Sequence, residues 1–219
     1  MKLAVGKVSD KLWSLNIQRI DLRGFENDRD MTDKESFDEL RLELSVKAKN
    51  GLDFILAASV IWLVIGFIWT LPYSSYNKSV LTFIIGGLML PLAMLLSKVL
   101  KTTWTMPSNP LQSLGLWLNF AQLFYFPILI FALLKMPDYF VMVYAIITAA
   151  HFFPYAWFYK TNSFAIMAGI ISIGTLLIAL NITPGKMYIV PLFMSSSLVV
   201  LSILLYFSYK KRQATATSR

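Results

Sequence analysis

The chain has 219 residues, of which 57% are hydrophobic and 15% charged, and its mean hydropathy is +0.61. Soluble domains carry about a quarter charged residues, so this balance excludes an ordinary soluble fold and makes lipid the expected solvent. The formal net charge of +8 lies wholly after residue 50, where ten Lys/Arg face only Asp53 and Asp138; basic residues scattered at the ends of apolar runs are membrane anchors and argue against nucleic acid as a partner.

Residues 1–30 mix charged and apolar positions and lack the apolar core of a cleavable signal. They read as an N-terminal extension without a clear fold, and Met31 is an alternative start. Thr32-Asp33-Lys34-Glu35 has the pattern of a capping box. Phe37, Leu40 and Leu44 then recur at helical spacing. Residues 31–50 are therefore expected to hold a cytoplasmic amphipathic helix, from about 33 to 49, stopped near Asn50-Gly51. Such a helix lies on the membrane surface or under the bundle.

Six apolar runs follow, at 52–72, 79–100, 112–134, 139–159, 163–182 and 188–209. Each is near the ~20 residues that span a bilayer as a helix. They are too long and too continuously apolar for barrel strands, which alternate. The expected fold is all-α: a polytopic transmembrane helical bundle of six spans over residues 51–209. Short connections rich in Pro, Ser and Asn make sequential helices antiparallel neighbours. Asn109-Pro110 is placed as N-cap and first helical residue of the third span.

Lysine and arginine set the orientation. One side holds Arg41, Lys47, Lys49, Lys98, Lys101, Lys160, Lys210, Lys211 and Arg212, and the other holds Lys78, Lys135 and Lys186. The richer side is expected to be cytoplasmic, with both termini there and residues 210–219 forming a basic tail.

Spans three and four carry most of the strongly polar side chains at depth. Asn119, Gln122 and Tyr125 lie on one face of span three, and Thr148, His151 and Tyr155, with Tyr144, on one face of span four. Counting from the connection at 135–138 sets Asn119 level with Tyr155, Gln122 with His151 and Tyr125 with Thr148. His151, the only histidine, would sit about 13 Å inside the cytoplasmic end, with Gln122 as its partner. An unpaired polar group in hydrocarbon costs several kcal/mol, on the order of a lost buried hydrogen bond, so this seam should face protein. Two roles compete for it: holding the helices together, or binding a ligand or proton.

Other features have structural readings. Pro91, Pro127, Pro154 and Pro191 interrupt spans two, three, four and six. Gly86-Gly87, Gly169 and Gly174 mark close-packing faces. Ser195-Ser196-Ser197 is expected to bond back to helix carbonyls. Asp53 suits the first turn of span one, with Lys98 or Lys101 as a pairing cation. No cysteine, no second histidine and no deep carboxylate is present, so thiolate chemistry, a His-rich metal site and an aspartyl dyad have no residues to work with. No cofactor is expected.

ELRLELSVKAKNGLDFILAASVIW at 39–62, NPLQSLGLWLNFAQLFYFPI at 109–128, and MVYAIITAAHFFPYAWFYK at 142–160 together resemble a family of small bacterial multi-pass membrane proteins of unknown function. The resemblance covers roughly 36–209. It implies a helical bundle in the bacterial inner membrane and supplies no activity. The leading functional expectation is a small solute or proton bound or moved through the seam of His151, Gln122, Asn119, Tyr125, Thr148 and Tyr155. The alternatives are an accessory subunit holding a protein partner through 33–49 or 210–219, and an intramembrane hydrolase or transferase with His151 as base.

Overall fold

A computed structural model describes residues 36–217, and these contain helices and turns without a strand. The extension 1–30, Met31 and the capping box at 32–35 lie outside the described residues. Residues 36–47 form α1. The remaining α-helices are α2 (Leu52–Thr70), α3 (Ser75–Gly86), α4 (Met89–Leu100), α5 (Gln112–Ala121), α6 (Phe126–Lys135), α7 (Phe140–His151), α8 (Phe153–Phe158), α9 (Ser163–Asn181) and α10 (Ile189–Thr217). Among the described residues, six helical stretches are long and apolar enough to cross a membrane: Lys49–Thr70, Ser75–Leu100, Gln112–Lys135, Pro137–Phe158, Ser163–Asn181 and Pro184–Ala214.

Three of these spans are broken where proline removes a backbone donor. Pro91 is the third residue of α4, just after the Gly87-Leu88 break. Pro127 is the second residue of α6, after a 3-10 turn at Gln122–Tyr125. Pro154 is the second residue of α8, after the break at Phe152. Pro191 likewise is the third residue of its helix, α10, which follows a 3-10 turn at Pro184–Lys186, so its missing N–H falls in the first turn. Span two begins earlier than the apolar run suggests, because the Ser74 side chain accepts from the Asn77 amide at 3.3 Å and caps α3.

In the unit formed by residues 41–219, α2 is the central helix. Its Ser59 and Gly66, one heptad apart on a single face, are small and let α10 approach closely. A Cβ at Gly66 would lie 2.8 Å from Leu192 Cδ2, and Ser195 Oγ donates to the Ser59 carbonyl at 2.8 Å. The expectation for the serine triplet thus holds for Ser196, which bonds back to Leu192 O, while Ser195 bridges two spans. On the far flank α9 packs on α7, α8 and α10. Spans two and three are peripheral, with broad apolar faces exposed, among them Leu95, Val99, Trp117 and Phe124. Those faces suit lipid.

The turn from α1 into α2 is unusual. Lys49, Asn50 and Gly51 all have positive φ, at 48°, 57° and 69°. Asn tolerates this conformation through local hydrogen bonds, and the Asn50 side chain is buried, accepting from Ser45 Oγ at 2.6 Å and donating to Leu205 O at 3.1 Å. Gly51 has no side chain to fit: a Cβ there would lie 3.2 Å from the Tyr159 ring. Lys101 and Lys160, both with φ of 53°, end their helices in the left-handed conformation usually given to glycine. The 6→1 bonds Thr102 N–H to Ser97 O (3.0 Å) and Thr161 N–H to Ala156 O (2.9 Å) complete those caps.

The 101–111 connection folds back against this turn. Thr103 N–H donates to Lys47 O at 3.0 Å. Asn109 accepts from Leu111 N–H at 3.0 Å and donates to Glu43 at 2.8 Å, so it makes a tight turn just before α5 and also ties the turn to α1. Lys47, at 2.6 Å, and then Asn109 hold the Glu43 carboxyl below its ordinary range. A depressed carboxyl pKa stabilises the fold above the unfolded value, and that contribution is lost as pH falls through the folded value. The pair is partly exposed, so Glu43→Gln should cost less than about 1 kcal/mol. Melting temperatures recorded from pH 7 down to pH 3 should show the two proteins converging at the acid end. A gap that stays constant would mean Glu43 is not the titrating group.

Candidate functional site

Spans three and four run antiparallel from the short connection at Met136–Tyr139, where a 3-10 turn led by Pro137 reverses the chain. The register follows from two contacts. A Cβ on Gly115 would lie 2.7 Å from Phe158 Cζ, and Tyr155 Oη donates to Asn119 Oδ1 at 3.0 Å. The second is the pairing that depth counting predicts. Both helices rise 1.5 Å per residue, so levels match on either side of the turn.

His151 closes α7 and is half-buried. Its Nε2 lies 3.4 Å from Tyr155 Oη, and the two rings meet edge to face at 5.3 Å. Asn119 in turn donates from Nδ2 to Gly115 O at 3.0 Å. Counting protons orders this chain. The Tyr155 hydroxyl has one hydrogen, spent on Asn119, so its oxygen accepts from His151 and Nε2 carries the N–H. In the neutral ring Nδ1 is then the basic nitrogen.

The structure joins three of the six expected seam residues by hydrogen bonds. Gln122 is half-buried in the 3-10 turn, which packs against α7, but it makes no hydrogen bond to His151. Tyr125 is exposed. Thr148 is buried with its hydroxyl on Tyr144 O at 2.8 Å, within its own helix. The helix changes type at this point: Gln122–Tyr125 is a 3-10 turn, and its last residue, Tyr125, is exposed. Pro127 begins the next segment two residues later.

A second polar cluster, larger than the seam, lies where spans one, two and four end together. Asp53 is only 1% exposed. Its Oδ2 accepts from Thr102 Oγ1 and from Trp104 Nε1, both at 2.6 Å, and its Oδ1 from Phe54 N–H at 3.0 Å. Thr102 Oγ1, its hydrogen given to Asp53, also lies 2.9 Å from Ser97 Oγ, from which it can accept, and Phe54 stacks on Trp104 at 4.8 Å. Neither Lys98 nor Lys101, the cations expected from the sequence, pairs with this carboxylate among the described residues. Arg212, on the last turns of α10, donates to Tyr159 O at 2.6 Å, to Lys160 O, to Ser45 Oγ and, at 3.4 Å, to Asn50 Oδ1. Asn50-Gly51 gives the sequence signal of the turn; nothing in the sequence signals the reach of Arg212 to it.

The sequence pattern of one protein family matches residues 37–208, most of the chain. The chain belongs to the family of unknown function DUF7010. No curated protein and no solved structure matches it. The DUF7010 match starts within α1 and stops within α10. It therefore takes in Asn119, His151, Tyr155 and the whole Asn50–Asp53 turn, while Arg212 falls just beyond it. Membership supplies no reaction. What the arrangement can do chemically has to come from the two clusters: a carboxylate whose two oxygens both accept hydrogen bonds, and a half-buried imidazole with one basic nitrogen.

Proposed function

We propose that this is a multi-pass protein of the bacterial inner membrane that binds a small polar solute, or passes a proton, at the Asn119–Tyr155–His151 chain. Both termini are assigned to the cytoplasm by the excess of Lys and Arg on their side, with 31–50 and 210–219 lying there and 51–209 forming the membrane domain. The carrying observation is that this hydrogen-bonded chain runs from a half-buried imidazole to an exposed amide, inside spans that are otherwise apolar. An ionisable side chain at depth is a functional hypothesis by default. Tyr155 and Asn119 fix the imidazole's tautomer and leave Nδ1 as the site for an incoming proton or donor group. Gln122, Tyr125 and Thr148 stay in the proposal as lining residues.

Liposomes containing the protein and a pH dye test it directly. Proton leak after a pH jump should exceed that of empty liposomes and fall at least about tenfold in His151→Ala, with a smaller drop in Tyr155→Phe. For a solute, a screen by thermal stabilisation should find a compound whose shift both substitutions abolish. Folded variants that match the parent in both measurements overturn the reading.

A second reading, an accessory subunit, is favoured by the weakly packed α5, which leaves Asn119 on an exposed face. A stoichiometric partner that co-purifies through α1 or the end of α10 would support it. The hydrolase reading has less to stand on: Ser195 and Ser196 spend their hydroxyls on carbonyls, and no serine bonds to His151 among the described residues.

A further inference from the structure

The two polar clusters meet at one side chain, Tyr159. His151, Tyr155 and Tyr159 follow one another at steps of four, so they share a face of span four. His151 Nε2 lies 3.4 Å from Tyr155 Oη, and the Tyr155 ring stacks on that of Tyr159 at 6.0 Å, with the planes 19° apart. The Tyr159 hydroxyl then reaches the other cluster. It would lie 3.2 Å from a Cβ at Gly51, two residues before Asp53, and the Asp53 charge acts on it.

The Tyr159 ring is held on several sides. Phe158 and Phe164 pack against it at 4.9 and 5.9 Å, and Arg212 of α10 holds its backbone carbonyl at 2.6 Å. Its hydroxyl nevertheless makes no hydrogen bond among the described residues. A ring that only packed would be served by phenylalanine, whereas a tyrosine away from water ordinarily gives its O–H a partner. On the far side an acceptor is open. Asp53 Oδ1 takes only the Phe54 amide, at 3.0 Å, and keeps a lone pair. Asp53 Oδ2 continues the row to Thr102 Oγ1 at 2.6 Å, and Thr102 Oγ1 to Ser97 Oγ at 2.9 Å, where Lys101 and Thr103 are exposed.

We infer that Tyr159 carries protons between His151 and Asp53, so that the two clusters are the ends of one relay running to the lysine-rich end of the spans. The inference rests on the reading of His151 as a proton site and adds the route. Eight residues separate His151 from Tyr159, about 12 Å of helix. The step balances without a co-reactant. A proton arrives at His151 Nδ1, and Nε2 gives its own to Tyr155 Oη. Tyr155 swings its hydrogen from Asn119 towards Tyr159, through a water bridging the stacked phenols. Tyr159 gives its hydrogen to Asp53 Oδ1. Each group that gives up a hydrogen receives one, so the imidazole and both phenols end neutral and the carboxylate ends as a neutral acid. Loss of that proton towards Thr102 and return of the imidazole to its first tautomer reset the relay.

The test uses the full chain in liposomes enclosing a pH dye, and reads proton flux after a pH jump alongside the melting temperature. Tyr159→Phe should melt with the parent, because its hydroxyl has no bond to lose, and should lose as much flux as Tyr155→Phe. The two act in series, so the double variant should lose no more than either single one; separate routes would multiply the losses. Asp53→Asn has an amide that takes up no proton. It should show the same loss, and it keeps the relay testable if Tyr159→Phe fails to fold. Tyr73→Phe, in the loop at the other end of the spans, should leave flux unchanged. Parental flux in Tyr159→Phe or Asp53→Asn, or multiplied losses in the double variant, overturns the relay while His151→Ala still loses flux and keeps its own reading. Parental flux in His151→Ala overturns both.

Discussion

Asp53→Ala is expected to lower the melting temperature of the purified protein by about 6–12 °C, corresponding to about 3 kcal/mol for a chain of this size. The carboxylate is the acceptor for Trp104 Nε1–H and Thr102 Oγ1–H and for the Phe54 amide. Alanine leaves the indole N–H of the partly exposed Trp104 and the Phe54 amide without their acceptor, and each unsatisfied buried group costs about 1–3 kcal/mol. Thr102 keeps Ser97 as a second partner, which limits its share. Asp53→Asn separates charge from hydrogen bonding. Its single oxygen can serve Trp104 and Thr102, but its amide then meets the Phe54 N–H donor to donor, so about half the loss should remain. Tryptophan emission offers a local readout, since Trp104 loses its fixed partner and its stack on Phe54. An alanine variant that melts with the parent would show that the carboxylate ties nothing together.

Arg212→Ala should cost a similar amount, about 3 kcal/mol, because hydrogen bonds to a charged donor are worth roughly 1.5–3 kcal/mol each when the acceptors are left without a partner. The guanidinium reaches carbonyls at the end of span four and side chains of α1 and the Asn50 turn at once. Lysine offers one ammonium where two arms are needed, so Arg212→Lys should recover less than half. Asn50→Ala shares part of the same network, through Oδ1. The double substitution should therefore fall short of the sum of the singles by about 1 kcal/mol. Strict additivity would mean that the two residues act independently.

The six spans were legible because each is an unbroken apolar run of bilayer length between Pro, Gly and Ser punctuation, and the six helical stretches fall on those runs. The Tyr155–Asn119 bond was legible for a different reason: a short connection fixes the register of two antiparallel helices, and counting does the rest. Gln122 is level with His151 by the same count, yet the two make no hydrogen bond: counting gives depth, and it does not give which way a side chain reaches. Asp53 was read from local rules, which offer it a lysine. Its partners come instead from a connection about fifty residues away in the chain. Residues 210–212 look like a frayed basic tail in the sequence; α10 continues through them, and Arg212 is bound inward.

The closest helix partnership joins α2 to α10, in the first and the last of the six candidate spans among the described residues. Until α10 is made, the α2 face bearing Ser59 and Gly66 has no complement, and the Ser59 carbonyl waits for a hydroxyl 136 residues downstream. Closure of this pair therefore has to wait until α10 has been made. A chain stalled before residue 189 would leave the α2 face around Ser59 and Gly66 without the helix that covers it.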